Sequence, residues 1–522
     1  MRIYATVPAF HVVLASASLL ALGLATRAAP IIAVATAMMT AVAAARALSF
    51  MTVAQVRARG FEMTWATRLR VIRLGRGQGT SIDAAIWNKS DYELKAVQIR
   101  VLASSMIRVH IEPKEVTIGP RSCAKVTLRV EALRVGRWGI HGLNFEARDR
   151  MAGGDGLFEI PLLFANPLGV EVVPPALKAL VDSPRGGRSR RFDAATQTVP
   201  RPGESFSVRE LRDYVAGDSL RKVAWKASAR HHRLLVREME REENETHLIL
   251  VDASTDLWAG PVGKAPLDHA IDEAARNARA LLGRGHAVGV IVFGSKLLSW
   301  VDPDRGSQHA SRIEIALTTA ARLATEERCG LEPHALAQRV YEHARTLDFG
   351  RSVTEKPDLA RVASLARALM SRAPFVSYEV TNSSDDVEIL RAYTEAFGIE
   401  VPARTDSEMK KSELLLAALL HTLHERCPKV DNVHIVGPAS AWSATLRDAI
   451  VYARSRRLHI TWTLPLLAPS LGIETQASPL TRAAHQAILW RTRASEIRNA
   501  RALRSMGVRV KRMASPEPHP HG

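Results

Sequence analysis

Cysteine is scarce: Cys123, Cys329 and Cys427 are the only three in 522 residues, widely spaced, odd in number and without a C-x-x-C pair. That argues against a disulfide framework and a cysteine-held zinc site, and it fits a reducing compartment. Patterns of activated chemistry are missing too. No G-x-S-x-G, Walker A, H-E-x-x-H or G-x-G-x-x-G stands in a supporting strand–turn–helix context. His231-His232 has neither a partner carboxylate nor a cysteine at ligand spacing, and reads as an exposed pair before a strand. No catalytic residue is assigned, and the chain is not read as an enzyme. Acidic residues are in deficit, 53 against 71 Lys and Arg, which leaves a formal net charge of +18. Attraction to nucleic acid, attraction to an anionic membrane surface and an arginine-rich coding bias all produce such a balance.

Residues 1–50 contain no Asp or Glu and only Arg2, Arg27 and Arg46 as cations. Thr6 to Thr26 is an apolar run of bilayer-spanning length. After a break at Arg27–Pro30, Ile31 to Ala45 forms a second run, so 1–50 is expected to be a transmembrane helical hairpin. A cleaved signal peptide is the rival, but cleavage would leave the second apolar run exposed. Arg46, Arg57, Arg59, Arg68, Arg70, Arg73 and Arg76 cluster behind the second run. The positive-inside bias then places both termini and the bulk of the chain in a bacterial cytoplasm, with the hairpin in the inner membrane.

Residues 66–175 break into short β-rich segments, such as Lys95–Leu102, Ile107–Ile111, Lys125–Val130 and Ile140–Ala147. These predict a small antiparallel β-sandwich. Residues 176–203 read as a basic linker, with Ser183-Pro-Arg-Gly-Gly-Arg-Ser-Arg-Arg191 free of large apolar groups. From 204 to 513 strands and helices alternate, giving a doubly wound α/β domain whose site is expected in the loops after its strands. Residues 327–410 interrupt it as an insertion, and 514–522 are a disordered tail.

The most informative stretch lies between Gly203 and Ser254. Gly217-Asp218 is a turn followed by an N-cap candidate, so a helix is expected from Asp218. It would carry Arg221, Trp225 and either Ser228 or Ala229 on one face. Such a face is either a clasp onto the following domain or a docking surface for a partner. The apolar strand His247–Val251 then ends in Asp252-Ala-Ser254. That ending puts a carboxylate and a hydroxyl at the carboxyl edge of a sheet, hard oxygen ligands of the kind that suit Mg²⁺ or Mn²⁺.

The run ESFSVRELRDYVAGDSLRKVAWKASARHHRLLVRE resembles the signature of the domain-of-unknown-function 58 family. The residues that match are Arg212, Tyr214, Gly217, Asp218, Arg221, Trp225, Ser228, Ala229 and Arg230. The resemblance implies a von Willebrand factor A-like domain and a MoxR-type AAA+ ATPase as partner. It also implies a metal-ion-dependent adhesion site with Asp-x-Ser-x-Ser after the first strand, a Thr from a later loop and an Asp after the central strand. Here these positions become Asp252, Ser254, Asp256 and, as the loop candidate, Ser307, while Gly437-Pro438 follows the strand Val433–Val436 without a carboxylate. The expectation is a membrane-anchored protein-interaction module in contact with membrane lipid, using Mg²⁺ or Mn²⁺ at an incomplete site, if any ion. The alternatives are a membrane-tethered nucleic-acid binder, which is the less favoured partner class, and a hydrolase with an unrecognised site.

Overall fold

The computed structural model describes residues 4–5, 7–148, 158–164, 166–181, 199–202, 208–215, 223–241, 245–258, 262–327, 329–346, 358–371, 384–399, 401–402, 409–438, 443–465 and 479–513. The expected disordered tail, most of the basic linker, and Gly217, Asp218 and Arg221 lie outside them. The chain divides into two compact units, 1–173 with 325–405 and 174–324 with 406–522.

The first unit opens with two helices long and apolar enough to span a membrane, Val7–Thr26 and Ala29–Arg59. The second runs well past the apolar stretch, because no Gly or Pro interrupts 31–59 and Gly60, at φ 97°, ends it. Arg27, at φ 52°, makes the tight turn between them. Ala9, Ser16 and Gly23 are buried at seven-residue spacing, which lets the two helices approach closely. A Cβ added at Gly23 would lie 2.8 Å from Ile32 Cγ1. The segment Tyr4–Ala5, ahead of the first helix, pairs with Phe158–Glu159, and Phe61–Trp65, behind the second, pairs with Ala84–Asn88. Both ends of the helical pair therefore enter the same folded unit.

That unit contains a seven-stranded sheet built around Gly136–Arg148 and a four-stranded antiparallel sheet. The four-stranded sheet runs in the order Phe61–Trp65, Gly79–Asn88, Ser122–Ala132, Ile107–Glu112. Alternation decides which faces are buried: Ile82, Ala84 and Ile86 on one strand, and Val126, Leu128 and Val130 on its neighbour. Three helices, Pro333–Thr346, Leu359–Met370 and Asp386–Ala396, pack around Leu336, Met370 and Tyr393. Although this stretch interrupts the α/β domain in sequence, it belongs to the first unit. Ser104 donates to the Ala396 carbonyl at 2.8 Å, His141 reaches the same oxygen, and the His141 ring stacks on Phe397 at 4.1 Å.

The second unit holds a six-stranded sheet: β1 (Thr246–Asp252), β2 (Ala287–Phe293), β3 (Leu297–Asp304), β4 (Asn432–Val436), β5 (His459–Leu464) and β6 (Arg509–Arg512). The spatial order is 3-2-1-4-5-6, parallel throughout except for β3, which runs antiparallel along one edge. β1 and β2 are apolar on both faces, as strands covered on both sides must be. Helix α1 (Pro266–Gly283) shows why the local sequence folds as it does. Pro266 occupies the first turn, the Asp268 carboxylate accepts from Ala265 N–H at 3.1 Å, and Leu267, Ala270, Ile271, Ala274, Ala278 and Leu281 form the buried stripe. The remaining helices are α2 (Ser307–Glu327), α3 (Met409–Arg426), α4 (Ala444–Ser455) and α5 (Pro479–Ser505).

Candidate metal and docking site

The order of the sheet reverses beside β1, between β2 and β4, and open α/β sheets gather ligands outside the carboxyl ends of the strands at such a point. Asp252 ends β1 there, 8% exposed. Its Oδ1 accepts from Ser254 N–H at 2.9 Å, and its Oδ2 accepts from the Ser412 hydroxyl at 3.0 Å. Ser254 is 1% exposed, and its hydroxyl has no hydrogen-bond partner among the described residues. A buried, orphaned hydroxyl costs about 1–3 kcal/mol unless something satisfies it. Together with one carboxylate and a second hydroxyl, it makes a hard-oxygen set suited to Mg²⁺ or Mn²⁺, with water completing the shell. Among the described residues, no group of three or more His, Cys, Asp or Glu is arranged to hold a metal. The cluster thus depends on its hydroxyls.

Ser307 does not join it. Asp304 is in register with Val288, and Val288 with His247, five residues from Asp252, so β3 delivers Ser307 to the amino end of β1, roughly 16 Å away along the strand. The antiparallel direction of β3 is the reason. Ser412 on α3 takes the place expected of the later loop, 160 residues from Asp252 in sequence. Nothing local marks it, because the 327–410 stretch separates it from the strand pattern. Its neighbour Glu413, also buried, accepts from Ser443 N–H at 2.8 Å and so ties α3 to the start of α4. Asp256 lies in the short 3₁₀ turn Thr255–Trp258 that follows.

The missing carboxylate after β4 has a steric explanation. A Cβ added at Gly437 would lie 2.8 Å from Asp252 Cβ, and Gly437 is pinned by its N–H to Thr463 O at 3.2 Å and its O to Trp462 Nε1–H at 3.0 Å. Introducing a carboxylate there as Gly437→Asp is therefore expected to destabilise the domain by about 1–3 kcal/mol through overpacking, without strengthening ion binding. Urea unfolding and Mn²⁺ titration of the same variant check both halves. A stable variant with tighter Mn²⁺ binding would overturn the steric account.

The signature segment splits into two roles. Helix does not extend back from Trp225: Val223 bridges to Val236, and Ala224 N–H donates to Leu235 O at 2.8 Å, so the chain is still extended there. Among the described residues of the segment Trp225–His231 is helical, and Arg221, expected to share a face with Trp225 and Ser228, lies outside them. Ser228 makes a contact within the segment. It is buried, its hydroxyl accepts from Leu235 N–H at 2.9 Å, and it holds the helix to the strand Leu235–Arg241. Trp225 and Arg230 instead face solvent. Tyr214 is half-buried and donates its N–H to Leu234 O at 2.9 Å, while Arg212 sits in the paired strand Val208–Asp213.

Residues 210–371, about a third of the chain, match the family described as Protein of unknown function DUF58, and the chain carries a DUF58 family domain there. No curated protein matches the chain. Among solved structures it is similar to a PapD-like domain of human CEP192 at 12% identity, covering 22% of this chain and 84% of that one with a TM-score of 0.17. WR4, an MSP family member of C. elegans, is similar at 11% identity, with 21% and 94% covered and a TM-score of 0.15. The cupredoxin domain of amoB from Nitrosocaldus yellowstonii has 11% identity, 21% and 83% coverage and a TM-score of 0.15. At these TM-scores none bears on how this chain works.

Proposed function

We propose that this chain is a membrane-anchored protein-interaction module. Its α/β domain is von Willebrand A-like, its first unit is a β-sandwich carried by a transmembrane hairpin, and its bulk faces the cytoplasm at the inner membrane. It works with a MoxR-type AAA+ ATPase, which supplies the energy, in chaperone-like or complex-assembly work. The observation that carries this reading is the switch-point cluster, where Asp252 is held by Ser412 beside the orphaned Ser254 hydroxyl. Asp252, Ser254 and Ser412 would hold Mg²⁺ or Mn²⁺ there, and the ion would offer an open position to a carboxylate of the partner. The 3-2-1-4-5-6 order supports the doubly wound assignment, and the DUF58 match supports the family inference on which the ATPase rests.

Crosslinking in membranes followed by recovery of the full chain tests it. Wild type is expected to retain a AAA+ ATPase, and Asp252→Ala and Ser254→Ala to lose it, with Mn²⁺ affinity falling at least about tenfold in the same variants, or ~1.4 kcal/mol. Equal recovery from all three proteins would remove the metal-mediated version. A carboxyl-terminal topology reporter found outside the membrane would remove the cytoplasmic placement.

A further inference from the structure

The two apolar helices of the first unit leave a groove between them, about 720 Å³ in volume. Phe10 and Val13 line it from Val7–Thr26, and Met39, Val42, Arg46 and Phe50 line it from Ala29–Arg59. The four on the second helix follow one another at three or four residues, so they form one stripe. The lining is apolar except for the guanidinium. Arg46 is exposed and has no ion-pair or hydrogen-bond partner among the described residues. The packing of the pair fixes its height. A Cβ added at Gly23 would lie 3.1 Å from the Ile32 nitrogen, which sets those two residues level. Ala9 and Arg46 each stand fourteen residues from that contact, so they too are level across the antiparallel pair. Arg46 also lies eighteen residues past Ala28, ~27 Å along a helix, against a hydrocarbon core of about 30 Å. With the Arg27 turn at one face of a bilayer, Arg46 reaches the other, at the depth of lipid phosphates.

Resting on the membrane-anchored reading above, we infer that this groove binds one anionic phospholipid. Its phosphate sits on Arg46, and an acyl chain follows Val13, Val42 and Met39 towards the turn. A guanidinium meets a phosphate through two parallel N–H···O bonds, and the rest of the wall offers the chain no polar group to desolvate. Charge balance argues against the other occupants. Residues 1–50 contain no Asp or Glu, so a second copy brings no carboxylate to the groove and would set one unpaired Arg46 against another. A zwitterionic lipid carries an ammonium that competes for its own phosphate. An anionic lipid leaves the guanidinium as the counter-ion, as at basic sites between membrane helices on the cytoplasmic side.

The test is native mass spectrometry of the full chain in a neutral detergent, titrated with phosphatidylglycerol or with phosphatidylcholine of the same acyl chains. Wild type is expected to take up one phosphatidylglycerol at least about tenfold more tightly than phosphatidylcholine. Arg46→Gln should lose that preference and Arg46→Lys should keep part of it. Arg27→Gln, at the opposite end of the hairpin, should leave it intact. Ala43→Trp, which fills the groove, should weaken the binding of both lipids. Because Arg46 is exposed, the circular dichroism of Arg46→Gln should match that of wild type. Equal affinity for the two lipids, an unchanged preference in Arg46→Gln, or an equal loss in Arg27→Gln would overturn the inference. So would an Arg46-dependent dimer that phosphatidylglycerol does not displace. Alkaline extraction of cell membranes separates this inference from the reading beneath it. Release of the chain into the supernatant would remove the membrane anchor itself. A chain retained in the pellet but indifferent to phosphatidylglycerol would remove only the lipid site.

Discussion

Replacing Trp462 with alanine is expected to cost about 3–5 kcal/mol of stability and to loosen the end of the sheet that carries Asp252. Trp462 on β5 is 2% exposed and packs within the same core as Leu250, Ile435, Leu446 and Ile450. Truncation removes most of a large buried side chain, and a close-packed interior closes such a cavity only in part. It also removes the indole N–H that donates to Gly437 O at 3.0 Å. Gly437 is the residue that lies against Asp252, so the loss reaches the candidate site through one intervening backbone unit. Trp462→Phe keeps the ring and loses the donor, and should cost less, with the remainder set by the orphaned carbonyl at about 1–3 kcal/mol. Urea unfolding of the detergent-solubilised full chain, followed by circular dichroism, measures both. If Trp462→Ala unfolded within about 1 kcal/mol of wild type, the indole would not be the support described here, since core Trp truncations cost several times that.

Acidification from pH 7.5 to 4.5 is expected to destabilise both units, with histidines as the cause. Burial lowers His141 to about 4; the hydrogen bond to Ala396 O opposes that shift and His343 adds to it. In the second unit burial lowers His247 to about 3, helped by His434, His286 and Arg284, and lowers His434 to about 4, helped by Lys511. The two rings meet at 3.0 Å, Nδ1 of His247 to Nε2 of His434, with Glu245 beside His247 at 3.4 Å. In the unfolded chain each histidine titrates near its ordinary 6.5, so between that value and the folded one the unfolded state binds more protons. Stability is therefore complete above about pH 6.5 and falls as the pH drops towards 4. For His141 alone the loss approaches ~3 kcal/mol, from about 1.4 kcal/mol per pH unit. Unfolding midpoints at pH 7.5, 6.0 and 4.5 should fall in sequence, and His141→Leu should flatten the part of the slope that belongs to the first unit. A profile unchanged by that substitution would place the acid sensitivity elsewhere.

Much of the α/β domain was legible because its signals are local. The strands Thr246–Asp252 and Asn432–Val436 lie where the strands His247–Val251 and Val433–Val436 are expected. Asp252 and Ser254 were legible for the same reason: a strand that ends in Asp-x-Ser announces its own edge. Ser307 was misplaced because its loop resembles a ligand loop only in one dimension, and the antiparallel run of β3 carries it to the far end of the sheet. A helix begins at Trp225, directly behind the bridge from Val223 to Val236, while the expected start at Asp218 lies outside the described residues.

By itself the sequence determined that two apolar helices precede the folded units, that an α/β alternation follows, and that a carboxylate and a hydroxyl share one strand end. These follow from hydrophobic period and turn chemistry, which act over a few residues. Tertiary structure alone decided that Ser412 reaches Asp252, that a glycine must face it, that Ser228 is buried while Trp225 is left in solvent, and that residues 325–405 join the first unit. Contacts between residues tens to hundreds of positions apart arise from which surfaces bury one another. No short stretch of sequence carries that choice.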